Sequence, residues 1–409
     1  MKTSLQSICI ITCMFISSQL LAQWQPSDTG NNIGGTFCLL ESSGKLFVGT
    51  GYGTYASTNN GFTWTQSNSG MTLAPYCYVF CLGKNSVGIF AGSENKIYFS
   101  NDNGISWNVI NNLGYQSKGI AFLGDTVFVA TTGGGVLMSP NNGTTWIPLN
   151  NGLTTDTVYS IVTKGHQLFA GTKNNGVFVS SNSGSNWSSV SNGIPTQATI
   201  NCLETDGTNL FAGTISDTLF HNNGIYKSIN NGTSWLQVSG GFPIDAQIYD
   251  IFSIGNALLA TNGLVYRSLD HGTTWMPFNE NIVFNSCGGI DMVRCFCDNT
   301  AYMFCGVSYD CYISIYRRDI NEVVSTNEYP YFTQNIILFP NPTSNLLHLQ
   351  LPDSFGEVKT LSIYNSLGQL QIIQGNIPML NFSGYETGLY YLIATNSKGA
   401  TTHGKVLKE

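Results

Sequence analysis

The sequence has 409 residues, of which 42% are hydrophobic and only 10% charged, and it carries 45 glycines. Charge this sparse leaves a surface of neutral polar side chains and tight turns, as in an all-β protein with many loops. The net charge of −7, with sixteen lysines and arginines in all, argues against nucleic acid and an anionic membrane surface as partners, because both require clustered cations.

The chain opens with Lys2 and a mostly apolar stretch from Ile8 to Leu21. That stretch is short for a bilayer span and reads as a secretory signal over residues 1–22, cleaved near Ala22. No later stretch is long and apolar enough to span, so no transmembrane segment is expected in the mature protein. Nine of the eleven cysteines remain after the signal, and five of them, Cys287, Cys295, Cys297, Cys305 and Cys311, lie close together. In an exported protein this spacing predicts one or two local disulfides of undetermined pairing. A zinc site is the alternative, but Cys295-Phe-Cys297 lacks the usual two-residue gap and no histidine is near. No metal or other cofactor is expected.

From Ser57 onward one eight-residue pattern, Ser-x-Asn/Asp-x-Gly-x-Ser/Thr/Asn-Trp, recurs six times, ending at Trp64, Trp107, Trp146, Trp187, Trp235 and Trp275. Successive copies start 43, 39, 41, 48 and 40 residues apart. The Asn or Asp of each copy (Asn59, Asp102, Asn141, Asn182, Asn230, Asp270) suits an Asx-type turn that bonds amides two residues on, the glycine suits a positive φ, and the Trp packs over the turn. The pattern resembles the Asp-box, or BNR repeat, of sialidases, sortilin-type receptors, xyloglucanases and photosystem II assembly-factor propellers. In those families the box is a structural turn on the outer edge of a blade, which implies that Asp102 and Asp270 shape turns and do not catalyse.

Upstream of the boxes lie strands such as Leu46-Phe-Val-Gly-Thr50 and Leu168-Phe-Ala-Gly-Thr172, each preceded by an alternating strand such as Val158-Tyr-Ser-Ile-Val162. Four short strands per forty residues describe a propeller blade. Counting from Trp24 gives seven units; the last, ending near Tyr316, lacks an outer strand, which Trp24 and its neighbours would supply. The expectation is a seven-bladed β-propeller over residues 23–318, then a linker over 319–334.

The last stretch, residues 335–409, alternates as a small Ig-like β-sandwich. Its Phe339-Pro-Asn-Pro-Thr343, Tyr364-Asn365 with Gly368-Gln369, and Gly404-Lys-Val-Leu407 elements look like the type IX secretion system C-terminal sorting domain. That resemblance implies recognition by the type IX secretion machinery and export across the outer membrane of a Bacteroidetes-type bacterium, to the cell surface or beyond.

Sialidases need three converging arginines, whereas this chain has only Arg267, Arg294, Arg317 and Arg318, and no Arg-Ile-Pro signature. Loops at the start of the inner strands would form the functional face. They carry Asp156, Asp245 and Asp291, with Asp250 in an inner strand, Asp217, Tyr309 and Asp310 in the loops after second strands, and Tyr52, Tyr76 and Tyr115. Tyrosines that stack on a sugar ring and acids that bond its hydroxyls suit a neutral sugar, though some acids at loop ends are expected in any seven-bladed ring. The reading is an exported cell-surface or secreted binding protein whose propeller face recognises a glycan or protein partner. The alternative is a glycoside hydrolase or lyase of extracellular polysaccharide using Asp156, Asp250 or Asp291, and a third is a structural surface-layer component.

Overall fold

The computed structural model describes residues 24–27, 35–72, 76–215, 222–279, 282, 292–308, 314–324, 337–351, 357–365, 370–374, 379–396 and 401–409. They divide into two units, residues 1–324 and 325–409.

Among the described residues, the first unit holds seven four-stranded antiparallel sheets. Blade 1 runs from the inside outward through Thr36–Ser42, Lys45–Thr50, Gly53–Ser57 and Thr65–Gln66. The inner strands of blades 2 to 7 are Val79–Lys84, Gln116–Leu123, Val158–Lys164, Thr199–Thr205, Asp250–Ile254 and Met292–Asp298. Each inner strand packs on the next, and the seventh packs on the first, so the ring closes. The Leu-Phe-Ala-Gly-Thr strands lie second in their sheets with a blade on either side. Phe47, Phe90, Phe128, Phe169 and Phe211 are consequently fully buried, which explains why these strands read as continuous apolar runs.

The seventh sheet is completed from the other end of the chain. Gln25–Ser27 pairs antiparallel with Ser314–Asp319 as its outermost strand, with Pro26 opposite Tyr316. Residue 319 ends that strand, and Ile320–Val324 forms a short helix with Val323 fully buried against the blade 6 and 7 core. The start of the expected linker is therefore part of the propeller unit; residues 325–336 lie outside the described residues. The proposed signal, residues 1–22, also lies outside them.

All six repeated turns share one hydrogen-bond set. In the fourth copy Ser180 Oγ donates to Asn182 Oδ1 at 2.8 Å and accepts the Gly184 amide at 2.9 Å. Asn182 Oδ1 also accepts the amide of Asn186 at 2.9 Å, four residues on and not two as the Asx-turn expectation had it. The wider span arises because two consecutive residues, Ser183 (φ 55°) and Gly184 (φ 86°), take the left-handed conformation and draw the loop into a compact knot. At Asp102, burial raises the pKa, but bonds from Ser106 Oγ, the Ser106 amide and Ser100 Oγ outweigh it and hold the carboxyl down to about 2.

The tryptophans do more than cover their own turns. Trp107, Trp187, Trp235 and Trp275 donate Nε1 to the carbonyls of Ser67, Leu149, Val190 and Val238, and Trp24 donates to that of Phe278. Each acceptor stands three residues after the preceding blade's Trp, so each indole staples two blades together. Trp64 makes the same link to Ser27 Oγ at 3.1 Å.

The five-cysteine cluster is not a disulfide knot where it is described. Cys295, Cys297 and Cys305 are free, buried thiols, and Cys287 and Cys311 lie outside the described residues. The reason is packing. Cys295 sits opposite Gly306 in the neighbouring strand, and its sulfur fills the space a Cβ there would take; Cys38, Cys81 and Cys202 stand against Gly49, Gly92 and Gly213 in the same way.

The second unit is a sandwich of a three-stranded sheet (Ile337–Phe339, Leu346–Gln350, Met379–Asn381) and a four-stranded sheet (Leu370–Gln374, Val358–Asn365, Gly388–Asn396, Thr401–Lys408). Leu338, Leu347, Leu361, Ile363, Phe382, Leu392 and Val406 form its core. Among the described residues, no helix is long and apolar enough to cross a membrane.

Candidate functional site at the propeller axis

Inner strands of six blades share a one-residue bulge near their start. The pairing register slips between Thr36 and Cys38, Val79 and Cys81, Ser117 and Gly119, Val158 and Ser160, Ile200 and Cys202, and Val293 and Cys295. The skipped residues are Phe37, Phe80, Lys118, Tyr159, Asn201 and Arg294. In blade 6 the same place is taken by Tyr249, because Asp250 faces Thr261 as Cys202 faces Gly213.

A bulge re-aims a side chain out of the sheet. Phe37, Phe80, Tyr159 and Asn201 are half-buried while the residues on either side of each are buried. The bulged residues touch one another from blade to blade. Phe37 and Phe80 meet edge-on at 5.1 Å, and Lys118 Nζ lies 5.1 Å from the Phe80 ring and 5.8 Å from the Tyr159 ring. Asn201 Nδ2 donates to the Tyr249 carbonyl at 2.9 Å. Contacts of this kind join the bulged side chains of blades 1 to 4 into a partial ring around the axis.

An aromatic ladder leads from this ring to the surface. Tyr78 stacks on Phe80 at 5.8 Å with the rings 8° apart, Tyr76 lies 5.7 Å from Tyr78, and Tyr52 lies 5.7 Å from Tyr76. Backbone bonds hold the two segments side by side: Gly53 N donates to the Cys77 carbonyl at 2.9 Å, and Cys77 N to that of Gly51 at 3.1 Å. Tyr52 is 40% and Tyr76 52% exposed. Sequence reasoning selected Tyr52 and Tyr76, which the structure brings together. It missed Tyr78, Phe80, Phe37 and Lys118. Tyr115 is exposed with its ring against the Gly133–Gly134 turn.

The acids are dispersed. Asp156 is exposed at the start of blade 4, its carboxylate accepting from Thr157 Oγ1 at 3.2 Å. Asp245 accepts the Asn222 amide in a blade 5 loop. Asp250 does not open onto the axis: its oxygens take the amides of Ile251 at 3.0 Å and Phe296 at 3.2 Å, in the seam between blades 6 and 7. Burial pushes it up to about 7 against those bonds. Glu204, also missed in the sequence, is pushed up to about 8 by burial and then by Asp250. Asp217, Asp291, Tyr309 and Asp310 lie outside the described residues.

Three of the four arginines brace outer strands. Arg267 and Arg318 lie over the Phe278 ring at 4.5 and 3.8 Å, and Arg317 lies over Phe62 at 3.3 Å. They do not converge as a sialidase site requires.

Residues 337–409 match the family described as a secretion system C-terminal sorting domain. That domain marks the protein for export to the cell surface or secretion. No curated protein matches the sequence. Among solved structures, the extracellular domain assigned to a hybrid two-component system of B. thetaiotaomicron is similar with a TM-score of 0.58 and 16% identity, over 94% of this chain and 47% of that one. The present chain thus spans about half the length of that domain. YCF48 from Cyanidioschyzon merolae is similar with a TM-score of 0.56 and 15% identity, over 73% of this chain and 99% of its own. The GH74 xyloglucanase from Xanthomonas campestris gives 0.56 and 11%, over 94% and 74%. At these identities the likeness is one of fold.

Proposed function

We propose that this is an exported binding protein whose propeller face holds a glycan along the aromatic ladder. The ladder from Tyr52 through Tyr76 and Tyr78 to Phe80 carries the reading: successive ring faces at 5.7 to 5.8 Å offer sugars a stacking track that ends at the axis. The repeated turns, with their Ser–Asx–Gly bonds, support reading the propeller as one built of Asp-box repeats. Residues 1–22 serve as the export signal, and residues 335–409 engage the type IX secretion machinery.

A glycan-array screen of the purified protein, repeated with Tyr76→Ala and Tyr52→Ala, tests this. Binding that weakens about tenfold in each variant supports the ladder as the site. Binding unchanged by both moves the site elsewhere, and absence of any glycan binding leaves a protein partner as the better account.

A further inference from the structure

The mouth of the ladder has a counterpart on the same face of the ring. Each blade is an antiparallel meander, so the loops after second strands and the loops before inner strands lie at one end of it. Thr50 Oγ1 donates to the Gly53 carbonyl at 2.9 Å and Thr214 Oγ1 to that of Gly224 at 3.2 Å, which sets Asn223 in blade 5 where Tyr52 stands in blade 1. Asp245 precedes Tyr249 by four residues, as Tyr76 precedes Phe80. Where blades 1 and 2 present two tyrosines, blades 5 and 6 form a cleft of about 360 Å³, at the small end of ligand-sized sites.

Hydrogen bonds and packing fix the walls of this cleft. Asp245 accepts the Asn222 amide, Tyr226 Oη donates to the Asn222 carbonyl at 2.7 Å, and Gln237 Nε2 donates to the Asn223 carbonyl at 3.2 Å. The apolar wall is Phe242, whose ring packs on Tyr266 at 4.0 Å and Trp275 at 5.5 Å. Gly241 before it has a φ of +102°, and a Cβ there would run into the Trp275 carbonyl, so only glycine lets the loop sit this close.

Ile244, at 93% the most exposed large hydrophobic among the described residues, stands on the rim of this polar cleft. Among the described residues, the side-chain amides of Asn222 and Asn223 have no protein partner. Asn174 and Asn175, at the junction of blades 4 and 5, are by contrast committed to Thr199, Thr154 and the Lys173 carbonyl. A side-chain amide both donates and accepts, which matches a sugar hydroxyl, while Phe242 and Ile244 offer an apolar surface to the C–H face of a sugar ring. The Asp245 carboxylate in the wall disfavours an anion.

We propose that this cleft is a second saccharide site, which binds a neutral sugar through the amides of Asn222 and Asn223 against Phe242 and Ile244. This rests on the glycan reading for the class of ligand and not on the ladder.

Calorimetry on the full-length protein tests it with four neutral probes, cellohexaose, xylohexaose, mannohexaose and laminarihexaose, in a background carrying both Tyr52→Ala and Tyr76→Ala. The expected result is that at least one hexaose still binds, and that adding Asn223→Ala or Ile244→Ser weakens it about fivefold or more, the worth of one hydrogen bond or one partly buried aliphatic side chain. Ile244 is a solvated side chain, so the effect of Ile244→Ser is not one of folding. Binding that vanishes with the two tyrosines, or residual binding unmoved by both additions, overturns the proposal and leaves the glycan reading standing. Wild-type affinity untouched by the tyrosine changes but lost with Asn223→Ala keeps the cleft and overturns the ladder. No binding of any hexaose by the wild-type protein overturns the proposal, and with an empty glycan array it overturns the glycan reading as well.

Discussion

Asp250 Oδ2 accepts the amide of Phe296 at 3.2 Å, joining blade 6 to blade 7 with a carboxylate where the other blades place a small side chain. The equivalent positions are Cys38, Cys81, Gly119, Ser160, Cys202 and Cys295. An acid in this seam is poorly solvated, which is why burial raises Asp250 to about 7, and burial with Asp250 raises Glu204 to about 8.

The pH dependence of stability follows. A carboxyl raised in the folded state keeps a proton that the unfolded chain releases. Stability is therefore greatest below the ordinary carboxylate range and falls as pH rises through it towards about 7 and 8. The slope is on the order of 1 kcal/mol per pH unit for each group. Thermal melts at pH 5, 6, 7 and 8 should show a declining midpoint. Asp250→Asn keeps an acceptor for Phe296 and removes the ionisation, so it should raise the midpoint at pH 8 and flatten the decline. A midpoint that climbs between pH 5 and 8 would contradict this account of the seam.

The repeated turns should respond as structure and not as a site. At Gly104 φ is +79°, and an added Cβ would fall 2.3 Å from Phe47 Cε1, so Gly104→Ala combines backbone strain with overpacking. The expected cost is about 2–3 kcal/mol in urea unfolding. Asn182→Ala, which removes the acceptor for Ser180 Oγ and the Asn186 amide, should cost about 1 kcal/mol. Neither change should alter glycan affinity in the folded protein. A loss of affinity at unchanged stability would assign these turns a direct role in binding.

The sequence made the blades legible because their determinants are local. Ser180, Asn182, Gly184 and Trp187 lie within eight residues and fold into one turn, and the pattern recurs. Closure was legible too, since Trp24 lacked a box and Tyr316 lacked an outer strand. The axial ring was hidden because a bulge leaves no compositional trace. Val158-Tyr-Ser-Ile-Val162 reads as regular alternation, yet the register skips Tyr159. One skipped residue reverses which side chains face the axis, so the alternation of the sequence does not single out Tyr159 or Lys118. The cysteines misled for a related reason: the glycine opposite Cys295 lies eleven residues on at Gly306, and its significance appears only once the strands are paired.

Among the described residues, the seams between other inner strands contain buried hydroxyls without hydrogen-bond partners. Thr36 Oγ1 is fully buried and makes no hydrogen bond, while the positions matching Thr36 in blades 2, 4 and 5 are Val79, Val158 and Ile200. Thr36→Val keeps the shape and removes an unsatisfied polar atom. It should stabilise the protein by about 1–2 kcal/mol in urea unfolding. Destabilisation would show that the hydroxyl has a partner, such as a buried water.

Closure of the ring can be read from two tryptophans. Trp24 is fully buried, bonds the Phe278 carbonyl at 2.6 Å and meets the Phe278 ring edge-on at 6.0 Å. Trp146 is only half-buried and donates to Gly143 within its own turn at 3.1 Å. By the rule the other indoles follow, Trp146 would reach Ile110, three residues after Trp107. But Ile110 is the residue skipped where the blade 2 outer strand slips register between Asn111 and Val109. Trp146 therefore packs on the Phe90 and Ile97 cluster while its indole bonds only within its own turn, whereas the Trp24 indole bonds blade 6 at the head of the three-residue strand that pairs with Ser314–Asp319. Trp24→Ala should cost about 3–5 kcal/mol and Trp146→Ala about 1–2 kcal/mol, compared by urea unfolding at one pH. Equal costs would mean that the amino-terminal strand does not hold the ring closed, because a fully buried, blade-bridging indole would then be worth no more than one resting on its own turn.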